Sequence, residues 1–208
     1  MSENYSVADT VEQFVNRKVL GLQKSFLSGS PSSRAALARL RKLDQPGMGS
    51  WMTVGNDVFA SLPELGTSRI DEEDALRAIK CAMKLFSIHQ QSTSVGVAVI
   101  PSADDWSAGS FGRACYKISH QSDGDSQGEA GVLRRISMIE SASDYEGIEV
   151  GLRALVSLMR GKNIQLNYGR LAKEIYFIQK QSARERVFMG WARDYYIPSS
   201  RGDEKVSE

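Results

Sequence analysis

Cationic side chains recur at helical spacing in several stretches of this sequence, and the chemistry that they offer is phosphate binding. The densest stretch, residues 29–43, contains no Asp or Glu. At about 100° per residue, its cations share one half of a helix and its apolar residues the other half. The cations are Arg34, Arg39, Arg41 and Lys42. Because phosphates repeat along a nucleic-acid strand, this helix is predicted to be buried on one side and to bind sugar–phosphate backbone with the other.

Three further rows of cations are shorter. They are Arg77, Lys80 and Lys84; Arg113 and Lys117; and the adjacent pair Arg134 and Arg135. A single row of this kind is typical of a solvated helix face, so none of them alone indicates a nucleic-acid contact. Residues 29–43 differ because they hold no acidic side chains with which the cations could pair. Several such helices together are predicted to form a groove that contacts the backbone without reading bases.

Signals for other chemistry are weak. His89 and His120 lack the spacing of metal ligands, and no Walker-type loop, Gly-x-Ser-x-Gly motif or helix-turn-helix pattern occurs. Cys81 and Cys115 belong to no paired-Cys motif, which favours buried free thiols in a reducing compartment. The sequence therefore predicts no catalytic residue, no metal site and no cofactor. A catalytic pair assembled from distant carboxylates stays open.

Composition sets the limits of these hypotheses. The chain has 208 residues, 41% hydrophobic and 25% charged, which is typical of a globular protein with a real core. Its net charge is +1, which argues against a surface that binds nucleic acid everywhere but leaves room for a local basic patch. No run reaches the about 18 apolar residues that a membrane span needs, and the N-terminus lacks a signal-peptide pattern. These features predict a cytoplasmic protein without a membrane partner.

The elements that must position these cations are helices. Periodicity predicts an all-α multi-helix bundle of about eight or nine helices, in a single domain over residues 1–197. Two packed sub-bundles, about 1–105 and 106–197, are expected inside it. Residues 198–208 are charged and lack apolar anchors, which predicts a disordered tail. The helical period disappears over residues 91–105, and residues 94–101 are interpreted as a partly buried loop because they have no obvious partner strand.

The last third of the chain carries the clearest helical signal. Three apolar stripes follow one another between residues 143 and 196, and their short connections predict antiparallel neighbours. Two of the three helices are predicted to open on capping boxes, at Ser143–Glu146 and at Ser182–Glu185. Trp191 lies on the last stripe and is predicted to be in the core. This unit is expected to hold the upstream helices in place.

Five sequence motifs occur in a characteristic order. They are RAALARLRK at 34–42, FGRAC at 111–115, VLRRI at 132–136, GLRALVSLMR at 151–160 leading into NYGRL at 167–171, and VFMGWARDY at 187–195. In this order they resemble the CasB family, the small subunit of the type I-E CRISPR interference complex, Cascade. The chain departs from that pattern at Tyr176 and Phe177, where the family often has Trp, and in a longer apolar linker at residues 95–100.

The resemblance implies an all-helical, non-enzymatic protein that lines the inside of Cascade. Its implied partners are the other Cascade subunits, a second copy of itself, CRISPR RNA, target DNA and the displaced single strand. The residues that the motifs imply for nucleic-acid binding are Arg34, Arg39, Arg41, Lys42, Arg113, Arg134 and Arg135. Lys80 and Lys84 come only from the helical row. Sequence recognition would then be delegated to base pairing with the guide.

Two other functions stay open on the residues themselves. One is a helical scaffold that binds only protein, with its basic rows solvated. The other is an enzyme with an unrecognised site, for which the two histidines would be the first residues to test.

Overall fold

The computed structural model of this chain describes residues 6–43, 51–65, 68–100, 107–120 and 126–197. Within those ranges the chain forms nine α-helices and no strand longer than a single bridge. They are α1 (Val7–Leu27), α2 (Pro31–Arg41), α3 (Trp51–Phe59), α4 (Arg69–His89), α5 (Phe111–His120), α6 (Ser126–Ser141), α7 (Tyr145–Gly161), α8 (Tyr168–Ile178) and α9 (Gln181–Tyr196). The predicted all-α class of about eight or nine helices is confirmed.

Side-chain caps start five of the described helices. A backbone N–H in the first turn of α1, α4, α5, α7 and α8 donates to the side chain of Ser6, Ser68, Ser110, Asp144 and Asn167, respectively. Such a bond satisfies one of the N–H groups that have no partner within the helix. α2 instead begins with Pro31, whose missing N–H costs nothing at that position.

Both capping boxes predicted for the last third are wrong. Asp144, one residue after the predicted Ser143, is the N-cap of α7 and binds the Gly147 N–H. The N-cap of α9 is Lys180, without a side-chain cap, so the predicted Ser182 lies inside the helix. Asp and Ser are about equally good N-caps, so the choice between neighbouring candidates depends on how the preceding chain enters the helix.

α4 is the central helix of the fold. It packs against α1, α2, α7 and α8, and every residue from 81 to 90 is buried. A helix that is buried all round must be apolar or have its polar groups paired, and this segment contains both kinds of residue. α8 lies on α1 as well, and a Cβ at Gly169 would stand 2.4 Å from the Glu12 carbonyl oxygen. Only glycine lets the two backbones approach this closely.

A second group of helices packs around α5. α5 contacts α6, α7 and α9, α6 lies against α7, and α7 joins this group to α4. Gly112 on α5 faces the α9 backbone so closely that a Cβ would stand 2.1 Å from the Trp191 carbonyl oxygen. Trp191 itself is fully buried, as its stripe predicted. The apolar residues of both groups form one continuous core.

The linker after α4 is a loop with one backbone pairing. Ala98 forms a parallel bridge with Leu166, and the Leu166 N–H donates to the Val97 carbonyl oxygen at 2.9 Å. The loop interpretation is right for residues 91–100, but the expectation that this segment has no partner is wrong. The partner lies far along the chain, just before α8, where residues 162–167 carry no strand signal. Residues 101–106 lie outside the described part.

The predicted division at about residue 105 stays a prediction, as does the tail at 198–208, which lies outside the described residues. In the described part, α8 packs against α1 and α4, which come from the predicted first sub-bundle. Among the helices described, none is long and apolar enough to cross a membrane.

Candidate nucleic-acid interface

α2 presents its cations in three different settings. Its apolar side, including Ala36, Leu37 and Leu40, is buried. Arg34 and Lys42 are exposed on the other side, and neither makes a side-chain hydrogen bond or ion pair with any residue that the structure describes. These two side chains are therefore placed to meet an external anion.

Arg39 is held by a carboxylate from a neighbouring helix. Its Nε and Nη2 donate to the two oxygens of Asp57 on α3, at 2.7 and 2.9 Å. The bidentate bond raises the pKa of Arg39 and neutralises its charge locally. Residues 29–43 contain no acid, but α3 packs against α2 and supplies one. Arg39 thus differs from Arg34 although both belong to the same predicted row.

Arg41 turns toward the end of α4. Its Nη1 donates to the Ser87 carbonyl oxygen at 3.3 Å, and its side chain is half-buried. Removal from water lowers the pKa of Arg41. No carboxylate in the described part of the chain pairs with it. We call Arg34, Arg41 and Lys42 the α2 strip, because these three cations of α2 and its C-cap have no carboxylate partner among the residues described.

The two lysines predicted on α4 lie deeper than a solvated row would. Lys84 is buried, and its Nζ donates to Glu149 on α7 at 2.6 Å, with 10% and 15% of the two side chains exposed. This pair ties α4 to α7. Lys80 lies one turn earlier and is half-buried. Their role in nucleic-acid binding stays a prediction. The Lys84 ammonium is already paired with Glu149 between the two helices.

Arg113 lies inside the molecule. It is 5% exposed, and its guanidinium carbon is 5.9 Å from the centre of the Tyr116 ring on the same helix. The Gly-Arg-Ala motif at the start of α5 therefore has a packing role. Gly112 permits the close approach to α9 described above, and Ala114 is buried in the core. A contact between Arg113 and nucleic acid stays a prediction.

The paired arginines of α6 line a groove. Arg134 is exposed, and Arg135 is half-buried with its Nη1 donating to the Gly131 carbonyl oxygen at 2.8 Å. The groove, about 640 Å³, runs between α6 and α7, and exposed Met138 and Val150 also line it. We call Arg134, Arg135, Met138 and Val150 the α6 groove. It combines two cations with an apolar surface, and Asp144, the N-cap of α7, also lines it.

The structure does not gather all nine predicted residues into one site. α2 packs against α1, α3 and α4, whereas α6 packs against α5 and α7. The α2 strip and the α6 groove are accordingly separate basic regions, with Lys84 and Arg113 buried between helices.

Arg160 belongs to none of the predicted rows of cations. It lies in the last turn of α7, and its Nη1 donates to the Ile88 carbonyl oxygen at 3.4 Å and to Gln91 Oε1 at 3.2 Å. Ile88 directly follows Ser87, the acceptor of Arg41, so two arginines from different helices bond to the last turn of α4. The only sequence signal was its position at the end of the GLRALVSLMR motif.

The arginines of the last two motifs form an internal network. Arg170 donates to Glu174 at 2.9 Å and to Asp194 at 2.7 Å, and Trp191 Nε1 donates to Glu174 at 2.8 Å. Arg193 completes it through Asp194, also at 2.7 Å. We call Arg170, Glu174, Trp191, Arg193 and Asp194 the α8–α9 network. Burial raises the pKa of Glu174 against the opposing pull of Arg170, whose own pKa the carboxylates raise in spite of burial.

The histidines and cysteines do not form a site together. His89 is fully buried, its Nδ1 lies 2.7 Å from the Tyr168 hydroxyl, and burial lowers its pKa to about 4. His120 is exposed and stacks on Tyr116. Burial raises the pKa of both Cys81 and Cys115. In the described ranges, no cluster of three or more His, Cys, Asp or Glu could hold a metal ion.

Comparisons with known proteins give a consistent result. Residues 36–196 match the model of a family described as CRISPR-associated protein Cse2. The crystal structure of CasB from Thermobifida fusca is similar, with a TM-score of 0.73 at 26% identity over 89% of this chain and 97% of that one. No curated protein matches the chain.

Proposed function

Because this chain belongs to the CRISPR-associated Cse2 family, we propose that it is a non-catalytic subunit of the type I-E Cascade complex. We propose that it holds nucleic acid by the sugar–phosphate backbone of the strand. In this role it would contact the CRISPR RNA, the target DNA and the displaced strand, beside other Cascade subunits and a second copy of itself. It would act in the cytoplasm. Base pairing with the guide would read the sequence, and the protein would supply positive charge.

The observation that carries this proposal is the α2 strip. Arg34, Arg41 and Lys42 sit on one helix without a carboxylate partner in the described part of the chain. Charges that pair internally add little to the external field, whereas these three cations keep theirs. Phosphate contacts made by such residues release counterions and so are sequence-independent and sensitive to salt. The α6 groove provides a second basic region for the same chemistry.

Charge reversal tests the proposal. We expect the double variant Arg34→Glu with Lys42→Glu to weaken retention of target DNA by the assembled complex about ten-fold or more at low salt. Both side chains are exposed, so the fold should be unaffected. The measurement is a gel-shift titration with reconstituted complex, repeated at two salt concentrations. A matched control reverses Arg17 and Lys24, two exposed cations of α1.

The salt dependence makes the result specific. Removing one phosphate contact should reduce the slope of log affinity against log salt by about 0.9 for duplex DNA or 0.7 for a single strand. The control variant should keep the wild-type slope. Equal affinity and slope for the α2 variant and wild type would refute the assignment of this strip.

A helical scaffold that binds only protein is the second candidate, and one observation favours it. Met138, Val150, Met189, Tyr196 and Ile197 are exposed on or next to α6, α7 and α9, each more than 60% accessible. Met138 and Val150 line the groove between α6 and α7, and Met189 and Tyr196 line a second groove between α6 and α9. Exposed apolar surface that is grouped in this way is typical of protein–protein contact. Ultraviolet crosslinking of the assembled complex separates the two functions, because a pure scaffold would give no crosslink to RNA or DNA.

The non-catalytic part of the proposal has its own support. His89, the histidine closest to the core, is enclosed and already bonded to Tyr168. Both thiols are buried, and burial holds them in the unreactive protonated form. Turnover of any substrate that disappears in the His89→Gln or His120→Gln variant would contradict it.

A further inference from the structure

A cavity open to solvent, with both polar and apolar atoms in its lining, lies where α4 and α7 end, apart from the rows of cations described above. Its volume is about 510 Å³, which is within the range of small-molecule sites. Its lining includes Ser92, Thr93, Ser94, Arg160 and Asn163, and none of the described residues that line it is acidic. It therefore offers hydroxyl and amide groups around one guanidinium.

The loop that forms one wall of this cavity is held in place from inside. Gln90 is fully buried, and its side-chain amide donates to Thr93 Oγ1 at 2.7 Å and to the Val95 carbonyl oxygen at 2.8 Å. Its carbonyl oxygen accepts the Val97 N–H at 3.3 Å. From the segment before α8, Gln165 donates to the Gly96 carbonyl oxygen at 3.0 Å. The wall is thus preorganised by bonds made within the protein.

Two residues of the lining have left-handed backbone conformations. Ser92 has φ 60° and Asn163 has φ 54°, in the region where residues other than glycine are uncommon. Asn accepts this conformation better than most residues, but Ser does so less readily. Conformations of this kind persist where the surrounding structure enforces them, and they cluster at ligand sites.

Positive charge exceeds negative charge beside the cavity, at the end of α4. Arg160 uses only Nη1 for its bonds to Ile88 and Gln91, and its Nε and Nη2 make no hydrogen bond to another residue in the described part. Arg41 bonds to the preceding carbonyl, so two full positive charges meet the end of α4. The end of a helix carries only about half a negative charge. Among the described residues, no carboxylate pairs with either arginine, so part of their positive charge is uncompensated. An external anion bound in the cavity would compensate it.

We infer that this cavity is a subsite for one phosphate group, with Arg160 as its binding residue and the Ser92 and Ser94 hydroxyls as its secondary donors, because the Thr93 hydroxyl already donates within the loop. The phosphate belongs to a nucleic-acid strand, so this assignment rests on the proposed function. A guanidinium with free Nε and Nη2 can bind two phosphate oxygens at once. Inorganic phosphate has the same chemistry, and the two experimental arms below separate it from the strand.

The first arm tests the cavity without nucleic acid. Side-chain Nε–Hε resonances of ¹⁵N-labelled protein are followed by NMR during titration with sodium phosphate, against sodium chloride at equal ionic strength. We expect the Arg160 resonance, assigned by its loss in Arg160→Gln, to shift and saturate with phosphate only. The exposed Arg17 resonance is the control. An Arg160 resonance that responds identically to both salts overturns the inference.

A second variant guards against a folding defect in Arg160→Gln. Ser94 is exposed on the cavity rim, and Ser94→Asp adds a negative charge there while it leaves Arg160 in place. We expect phosphate affinity to fall about ten-fold in Ser94→Asp, with a wild-type circular dichroism spectrum. Unchanged phosphate affinity in this variant also overturns the inference.

The second arm identifies the source of the phosphate. Fluorescence anisotropy measures binding of a labelled oligothymidylate to wild type, Arg160→Gln and the charge-matched Arg17→Gln. We expect about ten-fold weaker binding in Arg160→Gln and a change of less than about two-fold in Arg17→Gln. Saturable phosphate binding combined with equal oligonucleotide affinity in both variants would overturn the assignment to a strand. An α2 double variant that still binds normally would instead count against the proposed function alone.

Discussion

Arg34 on α2 and Arg170 on α8 are the same kind of residue in opposite settings. Arg34 is exposed and has no carboxylate partner in the described part, whereas Arg170 is half-buried between Glu174 and Asp194. Both occur in motifs that carry the family resemblance. The α2 strip and the α8–α9 network therefore differ in whether the charge of a motif arginine stays at the surface or is paired inside the molecule.

What separates the two regions is the supply of carboxylates from other helices. Within the α8–α9 network, Glu174 lies one turn from Arg170 and Asp194 reaches it from α9. Beside the α2 strip, α3 supplies a carboxylate from Asp57, which Arg39 occupies. Desolvated pairs are costly to break because the remaining charge stays buried, whereas exposed charges without partners are cheap to remove. Stability and binding should then depend on different arginines.

The largest expected effect is on the α8–α9 network. Arg170→Ala leaves Glu174 with only the Trp191 N–H and Asp194 with only Arg193, and we expect it to lower the free energy of unfolding by about 3–5 kcal/mol. Arg34→Ala should change it by less than about 0.5 kcal/mol. Urea titrations followed by circular dichroism measure both values. Equal destabilisation by the two variants would remove the distinction between the regions.

A pH effect in the buried framework comes next. The folded-state pKa of His89 is about 4, lowered by burial and then by the charge of Arg160, against an ordinary value of 6.5. Below pH 6.5, His89 therefore binds a proton in the unfolded chain, whereas in the folded chain it stays neutral until the pH approaches about 4. The free energy of unfolding should fall by about 2–3 kcal/mol from this group as the pH drops from about 7 to about 4.5.

His89→Gln tests that origin, with exposed His120→Gln as its control. The first variant should show a smaller loss of stability between the two pH values, whatever its stability at neutral pH. The second should retain the wild-type loss. If both variants lose as much as wild type, the acid sensitivity comes from carboxylates elsewhere and not from His89.

The helical class was open to prediction because it rests on local periodicity. The stripes at residues 148–159, 168–178 and 188–195 correspond to buried faces of α7, α8 and α9, and the CasB resemblance drawn from the motifs is confirmed. Long-range partners could not be predicted in the same way. Asp57 meets Arg39 from 18 positions away and Glu149 meets Lys84 from 65. Nothing in the spacing of one helix encodes which acid a neighbouring helix will bring.

The candidate site was less predictable than the fold for the same reason. Arg160 stands alone on its helix end, so no row of cations drew attention to it. Its position matters only because α4 and α7 end at the same corner. Arg113 is the opposite case, since a motif implied a binding role and the structure buries the side chain.

Two glycines of the motifs, Gly112 and Gly190, differ in how closely other atoms approach them. Gly112→Ala places a Cβ 2.1 Å from a backbone oxygen of Trp191, and we expect about 1–3 kcal/mol of destabilisation because backbone cannot yield easily. Gly190→Ala is the matched control on α9, where a Cβ meets nothing within 4 Å. It should be neutral or slightly stabilising, since Ala favours helix. Thermal unfolding of the two variants measures the contrast, and a shared melting temperature would contradict it.

The smallest effect concerns Arg39, which lies between the two extremes. Its pair with Asp57 leaves 43% of the arginine side chain exposed, so Arg39→Ala should cost only about 0.5–1 kcal/mol. It should also weaken nucleic-acid binding less than Arg34→Ala does, because its charge is already compensated.

Asp57→Asn gives the sharper measurement, since it releases the Arg39 charge without removing the side chain. We expect that variant to bind an oligonucleotide about two- to three-fold more tightly than wild type at low salt, and to lose this gain at high salt. Weaker binding in Asp57→Asn would mean that the pair positions Arg39 for phosphate, which would place Arg39 with the α2 strip after all.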